Sequence, residues 1–356
     1  MKSQTRVSIV VPAEAEPSVV VGLYDAFWAA GVLWNRIMGE PERPCFKPEL
    51  VAVNQDPVTT STGIRIVPNR TFADGPAADI VLVPTLFIST GAEFGRRNPG
   101  ILDWVRAAHA ADKPVFSTCT GSFLLAEAGL LDGRDATTHW AFAGAMKAEY
   151  PRIRVHPDRV LVAATDDGSV VTCGGAASWV DMVLYLIGRF GSAEDAMRLA
   201  KIQMFDWHHQ GQTPYARLTT RPQTADRQIH DCQEWLAENY YLSDPVGEMI
   251  RFSGLSPRTF GRRFRAATGH APLDYVQRVR IEEAKQLLET GSRTVDEVGA
   301  DVGYRDVVSF RRLFKRMVGE TPAAYRRRQS ISETAKSLSR RNSQFEMQGA
   351  GKTFLA

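Results

Sequence analysis

The residues best placed to do chemistry lie in KPVFSTCTGSFLLAEAGLLDGRDATTHW, positions 113–140. An apolar run ends at Cys119, Thr120 and Gly121 make a turn, and a helical pattern begins. A strand–turn–helix elbow of this kind holds a thiol at a helix N-terminus, where backbone N–H groups and the helix dipole favour the thiolate. His139, twenty residues on, can reach the same cleft as a base or hydrogen-bond partner, and Trp140 can supply an apolar wall. The same residues also suit a quieter role. A Cys at a strand end serves as a small apolar core residue, and a His before Trp as a packing group. Spacing alone leaves both readings open. Cys45, Cys173 and Cys232 show no metal-ligand spacing and no close pairing with Cys119, so neither a metal site nor a cofactor is expected. In a reducing compartment all four are expected as thiols.

A second chemistry is written in a repeat of about 50 residues within 243–328. SDPVGEMIRFSGLSPRTFGRRFRAATGHAPLDY (243–275) aligns with SRTVDEVGADVGYRDVVSFRRLFKRMVGETPAAY (292–325) after one inserted residue. Val246 matches Val295, Glu248 matches Glu297 and Gly254 matches Gly303; past the insertion Phe260, Phe264, Gly269, Pro272 and Tyr275 match Phe310, Phe314, Gly319, Pro322 and Tyr325. Each copy has a short helix, a Gly-containing turn able to take positive φ, and a second helix. Ser256 is placed to cap the second helix of the first copy, with Pro257 in its first turn, and Asp306 to cap that of the second. At about 100° per residue the Phe pair marks the buried stripe of each second helix. Arg258, Arg262 and Arg265 fall opposite it in the first copy, beside Thr259. Val308, Arg312 and Lys315 do so in the second, flanked by Arg311. Charged helix faces are often merely solvated. Two cationic faces in register on a repeated turn point instead to phosphate and base contacts with double-stranded DNA.

These groups need scaffolds of two kinds. From residue 6 to about 200, apolar runs at 6–12, 48–54, 78–84, 113–119 and 169–175 read as strands buried on both faces. Helical patterns at 18–31, 99–111, 121–130 and 176–190 alternate with them. That order predicts an α/β doubly wound, mainly parallel sheet over 1–205. The polar, turn-rich stretch 206–226 reads as a linker, 227–330 as an all-α tandem helix-turn-helix domain, with 272–290 as one long helix between the copies, and 331–356 as a polar, disordered tail. No apolar run approaches the roughly 18 residues of a membrane span, and the N-terminus does not read as a signal peptide, so a cytoplasmic protein with no membrane partner is expected. The net charge is +3, with the basic excess in the last third. The excess is too small to argue for nucleic acid without the local placement just described.

The pattern of Ser, Arg, a Phe pair and then Gly-x-x-Pro-x-x-Tyr, complete in the first copy and repeated from the Phe pair onward in the second, resembles the DNA-binding domain of AraC-type transcription regulators. The resemblance covers about 100 residues. It implies that one chain sets both recognition helices into successive major-groove segments on one DNA face.

Residues 6–200 resemble the PfpI-type branch of the class I glutamine-amidotransferase-like fold, whose enzymes carry an elbow Cys. The string Cys-Thr-Gly followed by AGLLDGRDATTHW is similar to the GlxA-type subgroup of AraC-family regulators, where such a domain precedes the tandem helix-turn-helix. The departures matter. PfpI-type enzymes place His after the elbow Cys, where Thr120 stands. Related hydrolases use a Glu near the end of the first strand. Alignment puts Val19 there, with Glu14 and Glu16 close by. They also carry a Gly-rich oxyanion turn after the third strand, where this chain reads Pro84-Thr85-Leu86-Phe87. The resemblance therefore implies a binding domain with no catalytic residue. Its expected pocket comprises Cys119, Thr120, Gly121, His139 and Trp140 and takes a small-molecule effector. A homodimer is expected, with RNA polymerase as a further partner if the protein activates. The competing readings are a Cys-dependent hydrolase or glyoxalase-like enzyme fused to a DNA-binding domain, and a thiol-based redox-sensing regulator.

Overall fold

The computed structural model describes residues 4–74, 79–208, 211–212, 226–290 and 293–329. Most of the expected linker, and the whole expected tail 331–356, lie outside these. The chain divides into two compact units, Met1–Ala216 and Arg217–Ala356.

The first unit is built on strands β1 (Thr5–Val10), β2 (Phe46–Ala52), β3 (Arg70–Thr71), β4 (Ile80–Val83), β5 (Val115–Ser117), β6 (Leu161–Ala163) and β7 (Val170–Cys173). They form one seven-stranded sheet in the order β6-β7-β5-β4-β1-β2-β3. Every pairing is parallel except that of β6 with β7. The five apolar runs of the sequence supply β1, β2, β4, β5 and β7, and every residue of β4, β5 and β7 is buried, as a sheet covered on both faces requires. Helices Pro17–Ala29, Pro99–Ala110 and Trp179–Phe190 match three of the expected helices. The fourth, expected at 121–130, is shorter. A 3-10 turn at Cys119–Gly121 leads into the helix Ser122–Glu127. The sheet order places β1 between β2 and β4, so the order of winding reverses beside β1, the place where an open parallel sheet leaves a crevice past its C-terminal strand ends. The loops after β1, β4 and β5 meet there.

The second unit is all helical: Arg227–Asn239, Pro245–Ser253, Pro257–Thr268, Pro272–Thr290, Val295–Asp301, Val307–Val318 and Pro322–Gln329. Its two halves have separate cores. Ile229, Leu236, Met249, Phe260, Phe264, Tyr275 and Val279 fill the first. Ile281, Leu288, Val298, Phe310, Phe314, Val318 and Tyr325 fill the second. The long helix 272–290 supplies both, with Val276 and Val279 facing the first core and Ile281, Ala284 and Leu288 the second. Among the described residues no helix is long and apolar enough to cross a membrane.

Candidate functional site

At the elbow, Cys119 has φ +52, a left-handed conformation that a non-glycine residue takes only when its surroundings impose it. The strand–turn–helix reading of this segment therefore holds, and of the two roles left open for the thiol the surroundings favour the buried apolar one. Cys119 is 3% exposed. Burial pushes the thiol up to about 11, although the N–H and hydroxyl of Thr120 and the hydroxyl of Thr85 pull the other way. Beyond the Thr120 N–H the helix N-terminus offers the thiol little, because the next N–H groups are spent internally. Gly121 N–H donates to the Thr118 carbonyl at 2.9 Å and Ser122 N–H to the carbonyls of Cys119 and Thr120.

The crevice beside Cys119 is closed by hydrogen bonds. The Thr120 hydroxyl donates to the Leu86 carbonyl at 2.5 Å and accepts from Leu86 N–H at 3.0 Å. Glu16 N–H donates to the Thr85 carbonyl at 2.9 Å and Phe87 N–H to the Glu14 carbonyl at 2.7 Å. The loop after β4 thus has no free N–H at Leu86 or Phe87 to face an oxyanion. Val19 is buried in the core. Glu14 pairs with Arg97 at 3.2 Å, and Glu16 accepts from the Ser18 hydroxyl at 2.9 Å. Glu16 reaches the thiol only as a weak, repulsive charge.

His139 lies elsewhere. Its Nδ1 accepts from Ala141 N–H at 3.1 Å, which leaves the proton of the neutral ring on Nε2. Burial lowers its pKa, which favours the neutral ring. With Trp140, Val160, Gly175, Ala177, Ser178, His208, Gly211 and Gln212 it lines a cavity of about 180 Å³. Of the five residues expected to form one pocket, the structure brings His139 and Trp140 to this cavity. Cys119, Thr120 and Gly121 are not among its lining residues. The Cys119 carbonyl still touches that neighbourhood by accepting from the Thr138 hydroxyl at 3.2 Å.

His208 and Gln212 fall in the stretch 206–226 that the sequence reads as linker. The buried Asp181 carboxylate receives the His208 N–H at 2.9 Å and its ring Nδ1 at 2.6 Å. Gln212 is 3% exposed. Its Oε1 accepts from Gly175 N–H at 2.8 Å and Trp140 N–H at 3.1 Å. Its Nε2 donates to the carbonyls of Thr138 and Arg159, each at 2.9 Å, and to the Thr137 hydroxyl at 3.2 Å. A Cβ on Gly174 would sit 2.4 Å from this amide, so the seat exists only because residue 174 has no side chain. The one signal in the sequence was the Gly174-Gly175 pair.

In the helical unit each second helix begins at the expected cap. The Ser256 hydroxyl accepts from Thr259 N–H at 3.4 Å, and Asp306 accepts from Val308 and Ser309 N–H, each at 3.0 Å. The turn glycines Gly254 and Gly303 take φ +66 and +91, and a Cβ on Gly303 would meet the Tyr241 carbonyl at 2.5 Å. Phe260, Phe264, Phe310 and Phe314 are fully buried. Phe264 meets Tyr275 edge-on at 5.3 Å, and Phe314 meets Tyr325 in the same way at 5.6 Å. This repeated packing turns the opposite faces outward. Arg258, Arg262, Arg265, Arg311, Arg312, Lys315 and Val308 are exposed, and Thr259 is half-buried beside its cap. Arg311 pairs with Asp296 at 2.5 Å. Among the described residues, Arg258, Arg262, Arg265, Arg312 and Lys315 form no ion pair within the protein. Arg263, between them in sequence, turns inward to Asp226 at 2.6 Å.

Comparison with known proteins separates the two units in the same way. A family described as DJ-1/PfpI matches residues 6–188, and one described as a helix-turn-helix domain matches 249–328. The HTH-type transcriptional regulator GlxA of Rhizobium meliloti is 30% identical over 215 residues, covering 59% of this chain and 64% of that protein. The chain thus spans about two thirds of that relative's length. The HTH-type transcriptional regulator GbdR of Pseudomonas aeruginosa is 24% identical over 303 residues, covering 84% of this chain and 79% of its own length. An isonitrile hydratase of Pseudomonas putida is 36% identical over 152 residues, 42% of this chain and 60% of the enzyme.

Proposed function

We propose that this chain, which belongs to the DJ-1/PfpI family through residues 6–188 and carries a helix-turn-helix domain at 249–328, is a DNA-binding transcriptional regulator whose first domain binds a small-molecule effector. The observation that carries the DNA reading is the pair of exposed cationic helix faces set on matched aromatic cores. Arg258, Thr259, Arg262 and Arg265 form one face, and Val308, Arg311, Arg312 and Lys315 the other. The regulators GlxA and GbdR support it as relatives. In this reading residues 1–205 sense, 227–330 bind DNA, and the protein works in the cytoplasm as a homodimer, meeting RNA polymerase if it activates. The effector site is the cavity of His139 and Trp140; Cys119, Thr120 and Gly121 do not line it, and the Cys119 carbonyl reaches its neighbourhood through the Thr138 hydroxyl.

The enzyme reading has one observation on its side, the strained Cys119 elbow that the isonitrile hydratase relative makes pertinent. Against it stand a thiol pushed up to about 11, a His139 ring engaged with its own turn, and a Leu86 N–H already spent on Thr120. We therefore assign no catalytic residue and no cofactor.

The test is a binding assay of the full chain on DNA flanking its own gene at several salt concentrations. Affinity falls steeply with salt, since Arg and Lys contacts release counterions. Arg262→Ala and Arg312→Ala each cost about 1–3 kcal/mol at particular base pairs if they bind guanine with both nitrogens. Equal losses on every sequence reduce both to phosphate clamps, and binding untouched by either substitution refutes the assignment. Sedimentation of a monomer at micromolar concentration, with and without DNA, refutes the dimer.

A further inference from the structure

The seat of Gln212 is more specific than a structural anchor needs. Its oxygen meets two backbone N–H donors, those of Trp140 and Gly175, and its nitrogen meets three oxygen acceptors, on Thr137, Thr138 and Arg159. This donor–acceptor pattern fits a primary carboxamide. A carboxylate in the same place would turn an anionic oxygen toward two carbonyls, so it is excluded on charge. Trp140, Gly175 and Gln212 also line the His139 cavity, so the amide is part of the cavity wall. Gln212 is held from its backbone too, with its N–H donating to the Asp158 carbonyl at 2.9 Å, and residues 213–225 follow it before Asp226 caps the first helix of the second unit.

We propose that the wall around Gly174 is a primary-carboxamide subsite occupied by the chain's own Gln212. An effector carrying a carboxamide enters by taking over the Trp140 and Gly175 N–H groups, and in doing so releases Gln212 from its seat. This rests on the effector reading given above, and on the cavity in which that reading places the ligand. Release of residue 212 is then the event that the second domain can detect, because only a ligand that changes the balance between two arrangements can signal.

The experiment is amide hydrogen exchange at Trp140 and Gly175 in the full chain, which involves neither DNA nor the natural effector. Gln212→Ala speeds exchange at both amides about tenfold or more, because each loses its acceptor. Millimolar acetamide then slows exchange in the variant by filling the vacated seat, and acetate at the same concentration does not. Gln212→Glu keeps the size and shape of the side chain, guards against a folding defect in the alanine variant, and also speeds exchange. Unchanged exchange in both variants overturns the hydrogen-bonded latch. Acceleration that acetamide fails to reverse, or that acetate reverses equally well, overturns the carboxamide subsite. Either failure leaves the DNA-binding assay above unaffected, so the two readings fall separately.

Discussion

Alkylation of Cys119 by iodoacetamide, followed against pH, asks whether the elbow thiol is a nucleophile. Burial moves its pKa from 9.0 to about 11, and thiolate is the reacting form. At pH 7.5 a thiol at 11 is ionised to about one part in three thousand, against about one in thirty at 9.0, a hundredfold deficit before steric access is counted. The rate measured by mass spectrometry on the Cys119 peptide therefore rises close to tenfold per pH unit up to about pH 10, with no plateau on the way. At neutral pH it lies at least about a hundredfold below that of a free thiol such as glutathione. The same burial links to stability. Because the folded pKa exceeds the unfolded one, this contribution is complete below pH 9, fades as the pH rises toward 11, and adds to alkaline unfolding. A plateau below pH 9, or labelling at pH 7 as fast as that of glutathione, refutes the reasoning and returns the enzyme and redox readings to first place.

Thr120→Val leaves the Leu86 N–H and carbonyl without their partner and destabilises the first unit by about 1–3 kcal/mol, read in chemical denaturation. Phe264→Ala and Phe314→Ala each cost about 3–5 kcal/mol, and hydrogen exchange localises the first to residues around Met249 and Tyr275 and the second to those around Val298 and Tyr325. Asp306→Ala removes the cap from the second recognition helix at a cost of about 1 kcal/mol, measured as a shift in the denaturation midpoint. Cys119→Ser preserves the effector response in a reporter assay, since the thiol does not line the cavity. Loss of response in that variant, together with turnover of a substrate by the wild type, restores the enzyme reading.

What the sequence disclosed was what local rules control. Strands covered on both faces are apolar through most of their length, so β1, β2, β4, β5 and β7 could be read directly despite Arg6, Lys47 and Glu49. The long helix 272–290 was bounded by Pro272 and a polar break, and it forms over that range. Ser256 and Asp306 cap because a side-chain oxygen before a helix has a nearby N–H to meet. The antiparallel β6 went unread because three residues carry no period; the helix Ala193–Gln203 also went unread, although six of its eleven residues are apolar. The cavity defeated the reading for a different reason. Gln212 sits in a polar run that has the composition of a linker, and its five partners come from four separate stretches, at residues 137–138, 140, 159 and 175. The protonation of Cys119 was likewise not local. The elbow and its backbone strain follow from the turn, whereas the seal over the thiol depends on the loops after β1 and β4.

The residue inserted between the two helix-turn-helix copies falls in the turn, between Gly303 and Asp306, whereas Ser256 follows two residues after Gly254. From cap to closing glycine both recognition helices have the same length, Ser256 to Gly269 and Asp306 to Gly319, and each is followed at equal intervals by Pro and Tyr. An extra residue within either helix would have rotated its Phe pair by about 100° off the core. In the turn it costs no packing. The two helices therefore share one frame of cap, anchor pair and tyrosine, but each fits its own core: Leu313 and Val318 are buried in the second where Arg263 and Thr268 stand in the first. Exchanging 256–275 for 306–325 would keep the Phe and Tyr anchors in place but set Arg263 and Thr268 where the second core holds Leu313 and Val318, and would break the Arg263–Asp226 pair.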